Sequence, residues 1–244
     1  MSRIKIEFGY DGRNFFGFQS LADKRTIQST LEEALSKLLG EDIKIVASGR
    51  TDAGVSAIKQ VAHFDTNSTI VPTNICFAVN KLLPSDIQVF SSKKVSDNFH
   101  ARFSAKSKTY KYIVYSSKHI CPVYQNFMYR CDKDLDIDLM KQATKFLIGK
   151  HNFKAFATRD DNVKNHERTL FNIEISKNDN VFAFILTGNA FLYNMVRIIV
   201  GTLLDVGTGK IKPEDVKKIL DSGERKNAGK LLPANGLCLI DVLY

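Results

Sequence analysis

The sequence predicts an α+β protein built from two ferredoxin-like, or RRM-like, halves. The first observation is composition: of 244 residues, 44% are hydrophobic and 25% charged, which is typical of a compact globular protein. The second is hydrophobic periodicity in the first half, which indicates β-α-β-β-α-β. The third is that the second half repeats this order. We therefore expect two antiparallel sheets that merge around a central cleft, each covered by helices on one face.

The N-terminal half is predicted to span residues 1–105. Ile4, Ile6 and Phe8 alternate with polar residues, which predicts a strand over 3–9. A helix with apolar spacings of four, four and three follows, with Thr26 as a candidate N-cap and Gly40 just past its end. The remaining predicted elements are strands over 43–47, 60–65 and 87–95 and a helix from Pro72 to about Leu82.

The C-terminal half is predicted to span residues 106–244. It begins with a tyrosine-rich strand over 108–116 and ends with a strand over 237–242. Between them we expect helices over 136–148 and 190–206, strands over 169–177 and 180–188, and a short extra helix opened by Pro213.

Charge and cysteine content limit the classes of function. The chain has 35 Lys and Arg against 26 Asp and Glu, a net charge of +9, which favours a polyanionic partner. The cysteines form no CxxC pair and have no histidine at zinc-ligand spacing, so neither a metal site nor a disulfide framework is expected, and a reducing cytoplasm fits best. The longest apolar stretch, 191–204, is interrupted by Asn194 and Arg197 and is too polar and short for a membrane span. The four cysteines are Cys76, Cys121, Cys131 and Cys238.

The candidate catalytic residue is Asp52, in the loop from Gly49 to Ala57. A carboxylate in so glycine-rich a connection is exposed, although an aspartate there can equally serve as a turn cap. Arg50 lies two residues away. An arginine within about 4 Å favours the ionised acid by roughly 4 kcal/mol at an effective dielectric constant of about 20. We therefore interpret Asp52 as a permanently charged nucleophile.

A basic and aromatic segment follows at residues 99–118, with five Lys or Arg residues and no acid. Basic side chains bind phosphates and aromatic rings stack on unpaired bases, so this composition suits RNA. Tyr110 and Tyr112 share one face of a strand and can instead be core residues. We weigh the two interpretations equally for Tyr112 and favour function for Tyr110. The candidate substrate-binding residues are His100, Arg102, Phe103 and Tyr110.

Arg197 lies among apolar residues of the predicted helix 190–206. An unpaired guanidinium there is costly, so the side chain must either extend to solvent or meet an acid. Extension to solvent is the more frequent outcome. An ion pair with Asp52 requires the helix of one half to pack beside the loop of the other.

These segments together resemble the tRNA pseudouridine synthase A family. The family loop GRTDAGVHA occurs here with one change, and its GYDG opening is at residue 9. Further matches are the helix motif at 26–35, N..LP.DI at 80–87, FHARFSA…K.Y.Y at 99–112, NAFLY.MVR.IVG at 189–201 and GL.L..V.Y at 236–244.

The resemblance implies the pseudouridine synthase fold and a homodimeric enzyme without cofactor or metal. It implies conversion of uridines 38, 39 and 40 of the tRNA anticodon arm to pseudouridine. Asp52 corresponds to the family's catalytic aspartate and Tyr110 to the tyrosine that contacts the target base. Arg50 and Arg197 correspond to the arginines around the acid.

The sequence departs from the family pattern at two positions. Ser56 stands where histidine is usual, and Phe18 stands where tryptophan is common. The second change is expected to affect only packing or a stacking surface. Two other classes of function compete with this interpretation. A non-catalytic tandem RNA-binding protein needs the RNP1 glycine pattern, which 108–115 lacks, and a carboxylate glycosidase needs a second acid, which is not apparent near Asp52.

Overall fold

The computed structural model describes residues 1–158 and 165–244 and confirms the α+β class. The helices are α1 (Ile27–Leu39), α2 (Ile75–Val79), α3 (Ile137–Thr144), α4 (Met195–Gly207) and α5 (Asp215–Ser222). The strands are β1 (Ser2–Tyr10), β2 (Val46–Ala47), β3 (Ser56–Thr66), β4 (Ile87–Lys94), β5 (Ser107–Ser116), β6 (Tyr129–Cys131), β7 (Gly149–Asn152), β8 (Glu167–Asn178), β9 (Val181–Gly188) and β10 (Leu237–Leu243).

The chain divides into two compact units. The first comprises Met1–Lys106 with Cys238–Tyr244, and the second comprises Ser107–Leu237. This division differs from the predicted halves at the last strand. β10 pairs in parallel with β3, and Asp241 forms an ion pair of 2.7 Å with Lys59. These contacts place most of β10 with the first unit.

The sheet of the first unit has the order β4-β1-β3-β10. The β1–β3 and β1–β4 pairs are antiparallel. β2 and β10 share one edge of β3: β2 lies opposite Ala62 and His63, whereas β10 lies opposite Ser56 and Ala57. The strand predicted over 43–47 is therefore regular over two residues only.

Helix α1 has the predicted ends. The Thr26 hydroxyl accepts a hydrogen bond from the Ser29 N–H, and the Ser29 hydroxyl accepts one from the Thr26 N–H. Gly40 ends the helix in the left-handed conformation. The predicted second helix is shorter than expected. Residues 72–74 form a 3₁₀ turn and α2 ends at Val79, because the Asn80 amide bonds both backbone groups of Val89 and turns the chain into β4.

The sheet of the second unit has the order β5-β9-β8-β7, and β6 pairs with β5. β5, β9 and β8 are antiparallel neighbours, and β8 and β9 meet in a hairpin at Asp179. Helix α4 is buried along most of its length. It begins at Met195 rather than at 190, because Asn194 adopts a left-handed conformation with φ of 62°. α1 and α4 are the longest helices in the described ranges, at 13 residues each, so no described helix is long enough to cross a membrane.

A strap, defined as residues 228–232, crosses α4 at van der Waals distance. The Gly229 N–H donates to the Thr202 hydroxyl at 2.8 Å. A Cβ atom on Gly201 would lie 2.0 Å from the Lys230 carbonyl oxygen. The close approach of strap and helix therefore requires glycine at position 201.

We predict that Gly201→Ala lowers the free energy of unfolding by about 2 kcal/mol, measured by urea denaturation. Alanine favours a helix by roughly 1 kcal/mol over glycine, but the backbone carbonyl of the strap cannot yield to the new methyl group. Gly207→Ala is the matched control in the same helix, since its Cβ meets the flexible side chain of Met140. A Gly201→Ala protein as stable as the control would contradict the packing described here.

Candidate active site

The loop that carries Asp52 connects β2 to β3 in the first unit. The Val55 N–H donates to the Asp52 carbonyl oxygen at 3.1 Å, and Gly54 has a φ of 81°. The turn leaves the Asp52 side chain half-buried and Ala53 exposed. The carboxylate is thus carried on a tight turn at the end of a sheet strand.

Two buried contacts hold the residue before the acid. The Thr51 carbonyl oxygen accepts a hydrogen bond of 3.0 Å from the Phe18 N–H. The Thr51 hydroxyl shares one of 2.8 Å with the hydroxyl of Tyr10, on β1. Both Thr51 and Tyr10 are buried. The backbone at Asp52 is therefore attached to the central strand of the unit.

A second pair of contacts holds the start of the loop. The Gln60 side-chain amide donates to the Gly49 carbonyl oxygen at 3.1 Å, and its oxygen accepts from the Ser48 hydroxyl at 2.6 Å. Gln60 and Ser48 are fully buried. Burial without competing water makes both bonds persistent.

Two glycines in the segment 9–19 pack against this loop. A Cβ on Gly12 would lie 2.0 Å from the Val55 carbonyl oxygen. Gly17 has a φ of 91° and faces the backbone of residues 51–53. The Ser56 hydroxyl accepts a hydrogen bond of 3.1 Å from the Gly12 N–H. The serine that replaces the usual histidine therefore joins the opening segment to the loop.

Phe18 is a packing residue. Its side chain is 2% exposed and its ring lies 6.4 Å from that of Phe8 and 6.3 Å from that of Tyr10. Of the two expected effects of losing tryptophan here, the structure supports the change in packing. Burial raises the pKa of Tyr10 far above its usual value, so its hydroxyl stays protonated in the bond to Thr51.

Arg50, predicted to sit beside the acid, is exposed on the first unit.

The turn at residues 100–104 also brings a cation and a ring to the surface. Its Phe103 is 77% exposed, and the Arg102 guanidinium lies 5.8 Å from the Phe103 ring centre. His100 Nδ1 accepts hydrogen bonds of 3.2 Å from the N–H groups of Arg102 and Phe103, which support this turn. Its role in substrate binding stays a prediction.

His63 lies behind this turn and had no sequence signal. Its Nδ1 accepts a hydrogen bond of 3.2 Å from the Ala101 N–H, and its ring is 5.0 Å from that of His100. Burial, followed by the positive charge of Arg3, lowers the pKa of His63 below its usual value. The neutral imidazole is therefore part of the support of the turn.

In the second unit, Tyr110 and Tyr112 have different surroundings. Tyr110 is 9% exposed, and its ring meets that of Phe191 edge-on at 5.0 Å. Tyr112 is fully buried and donates to the Pro233 carbonyl oxygen at 2.8 Å. Burial raises the pKa of Tyr112 well above its usual value. Tyr112 is thus a core residue, while the role of Tyr110 stays a prediction.

Arg197 lies in the first turn of α4 and is half-buried. Its Nε donates to the Leu232 carbonyl oxygen at 2.6 Å, and its Nη1 donates to the Asn194 side-chain oxygen at 2.7 Å. The sequence predicts that Arg197 either extends to solvent or meets an acid, and it does not predict these two neutral acceptors. The pairing of Arg197 with Asp52 joins residues of different units and stays a prediction.

No group of three or more His, Cys, Asp or Glu residues within 1–158 and 165–244 is arranged to hold a metal ion. Each of the four cysteines is a free thiol.

A family model described as tRNA pseudouridine synthase matches residues 8–104 and 143–244. The chain belongs to this family. It is 43% identical over 244 residues to tRNA pseudouridine synthase A of Caldicellulosiruptor bescii, and 44% identical over 244 residues to tRNA pseudouridine synthase A 2 of Clostridium perfringens. Both matches cover 100% of each chain.

Among solved structures, the chain is similar to one in a Cbf5-Nop10-Gar1 complex. The TM-score is 0.40 at 14% identity, and the match covers 96% of this chain and 57% of that one. The family assignment confirms the resemblance seen in the sequence motifs. The protein is an isomerase that acts as a tRNA pseudouridine synthase.

The lowered pKa of His63 predicts a pH dependence of stability. Below about pH 6.5, the usual pKa of histidine, the unfolded chain binds a proton at His63 that the folded chain does not. The contribution of neutral His63 to the free energy of unfolding is therefore complete at higher pH and is lost as the pH falls. We expect urea unfolding between pH 7.5 and 5.5 to show a steeper loss for the parent protein than for His63→Asn, whose side-chain oxygen can still accept from Ala101.

His119→Asn is the control, because His119 is exposed. Its pH dependence should follow that of the parent. Equal pH dependence of the parent and the His63→Asn protein would contradict the assignment of a neutral, buried imidazole.

Proposed function

We propose that this tRNA pseudouridine synthase converts uridines 38, 39 and 40 of the anticodon arm, with Asp52 as the catalytic nucleophile. The observation that carries the proposal is the half-buried Asp52 on a turn whose neighbour Thr51 is bonded to Phe18 and Tyr10. A reacting group fixed in this way needs little reorganisation when the substrate arrives.

The reaction is a bond exchange within one nucleotide. The bond between N1 and C1′ breaks, the uracil turns over in the site, and C5 bonds to C1′. A proton leaves C5 and a proton is gained at N1, so the exchange is redox-neutral and needs no co-substrate. An ionised carboxylate can serve as nucleophile at C1′ of the sugar or at C6 of the ring.

Arg50 and Arg197 are proposed to stand beside the Asp52 carboxylate and keep it anionic as the substrate displaces water. The exposed guanidinium of Arg50 can move to an arriving RNA. Arg197 is already held through two of its N–H groups by neutral acceptors, so its positive charge is not offset by those two partners.

The RNA is proposed to bind through the turn at 100–104 and through Tyr110. Arg102 and Phe103 offer a cation and a large exposed ring side by side, which suits a phosphate and an unpaired base. His100, whose ring supports this turn, is proposed to contact the RNA as well. Tyr110 is proposed to stack on the target uracil after it leaves the helix. We also propose that the enzyme is a cytoplasmic homodimer, supported by the family resemblance and, for the compartment, by the cysteine usage.

We predict that Asp52→Asn reduces turnover by at least about 10³-fold, because it removes the charge with little change in shape. Affinity for tRNA should stay within about three-fold, since phosphate contacts dominate binding. The assay measures tritium released from uracil C5 in tRNAs labelled at position 38, 39 or 40 only. Isomerisation expels this hydrogen, whereas binding does not.

Asp42→Asn is the matched control, because the Asp42 side chain is 80% exposed and its ion pair with Lys44 lies on the surface. It should release tritium at the parent rate. Persistent turnover by the Asp52→Asn protein would refute the nucleophile assignment, and release from none of the three labelled positions would refute the proposed substrate sites.

A second substitution tests Tyr110. Tyr110→Phe keeps the ring and should therefore leave both tRNA affinity and turnover within about three-fold of the parent if stacking is its role. The measurements are filter binding and tritium release under single-turnover conditions. A large loss of turnover at unchanged affinity would instead assign the hydroxyl to proton transfer.

A further inference from the structure

Asn194 has an unusual backbone conformation directly before α4. Its φ of 62° and ψ of 5° are left-handed. Among the described residues, Asp23 and Asp179 are the other non-glycine positions with positive φ. Asparagine tolerates this region better than most residues. A residue kept in a sparsely populated conformation needs support from its surroundings.

The Asn194 side chain does not cap its own helix. An asparagine at this position usually accepts a hydrogen bond from the first turn of backbone N–H groups, but no such side-chain cap is formed here. Its oxygen instead accepts a hydrogen bond of 2.7 Å from Nη1 of Arg197, and its amide nitrogen donates one of 2.7 Å to the Thr158 hydroxyl. The amide is thus oriented from both ends toward the guanidinium.

A second acceptor holds the same guanidinium from the strap. Nε of Arg197 donates to the Leu232 carbonyl oxygen at 2.6 Å, and Leu232 is fully buried. The strap itself is seated on α4 by the close approach at Gly201 and by the bond from Gly229 to Thr202. Two acceptors on different elements therefore fix the plane of the guanidinium, which a single contact would leave free to rotate.

We propose that Asn194 is a positioning residue for the isomerisation, acting by orienting the guanidinium of Arg197. This inference rests on the proposed function, in which Arg197 stands beside the catalytic carboxylate. An uncharged amide suits that task because it directs the guanidinium without neutralising it. A carboxylate at the same place would compete with Asp52 for the positive charge.

The test combines variants of Asn194, Thr158 and Arg197 with single-turnover tritium release from tRNA. Asn194→Gly keeps the left-handed backbone and removes the amide. We expect the rate constant to fall about ten-fold, with tRNA affinity within about three-fold, because a hydrogen bond to a charged group is lost. Thr158→Val is the control: it removes the other bond of the amide and should slow the reaction by no more than about two-fold.

A double-substitution cycle separates positioning from general stability. Arg197→Lys alone should slow the reaction, since a lysine cannot offer the two directed N–H groups. In that background Asn194→Gly should have no further effect on the rate constant. A purely structural role would give the same fold loss in both backgrounds and would overturn the inference while leaving the proposed function intact.

Asn194→Asp keeps the proposal testable if the glycine variant fails to fold. Aspartate tolerates the left-handed conformation and preserves the acceptor, so its thermal midpoint should stay within a few degrees of the parent. We expect slower turnover from this folded protein, because a fixed anion neutralises Arg197. Parent-like turnover would overturn the inference. Parent-like turnover of Arg197→Lys would refute the proposed role of Arg197 itself, and the inference would fall with it.

Discussion

The hydrogen bonds on Thr51 are the constraint on which the first unit's site depends. The hydroxyl of Thr51 is bonded to Tyr10, and its carbonyl oxygen is bonded to the Phe18 N–H. Tyr10 belongs to β1, an inner strand of the sheet, so the turn that carries Asp52 is bonded directly to the core. An unsatisfied partner in this buried place would cost roughly 1–3 kcal/mol. Displacement of the loop is therefore coupled to loss of native packing, which holds the backbone at Asp52 in place.

Neutral groups support both the loop that carries Asp52 and the guanidinium of Arg197. The loop around Asp52 is fixed through its backbone and through Thr51, and Arg197 is fixed by an amide oxygen and a backbone carbonyl oxygen. Support of this kind sets direction without offsetting charge. Lys59 and Asp241 form an ion pair of 2.7 Å between neighbouring strands of the first unit.

Sequence patterns predicted those elements whose position is determined by residues close together in the chain. Alternating apolar residues identified β1, and the cap residues Thr26 and Gly40 identified both ends of α1. Predictions from the sequence were incomplete where pairing between distant segments determines the structure. β6 and β7 have three and four residues and no periodicity of their own. The start of α4 depends on the left-handed Asn194, whose side chain is bonded to Thr158 and Arg197. β10 lies with the first unit because of its partner strand, which periodicity does not reveal.

The same distinction applies to the site. Asp52 was recognisable because its glycines, its arginine and the family motif lie within nine consecutive residues. Tyr10 and Thr51, in contrast, are 41 positions apart in the chain. A sequence does not reveal which backbone carbonyl, such as that of Leu232, accepts a hydrogen bond from a side chain. Ser56 is a further example: its hydroxyl accepts a hydrogen bond from the Gly12 N–H, 44 positions away in the chain. The proposed reaction requires a carboxylate at position 52, so a sequence motif reveals that residue. The groups that support its loop are selected by their distance and direction in the fold, so a motif reveals them less readily.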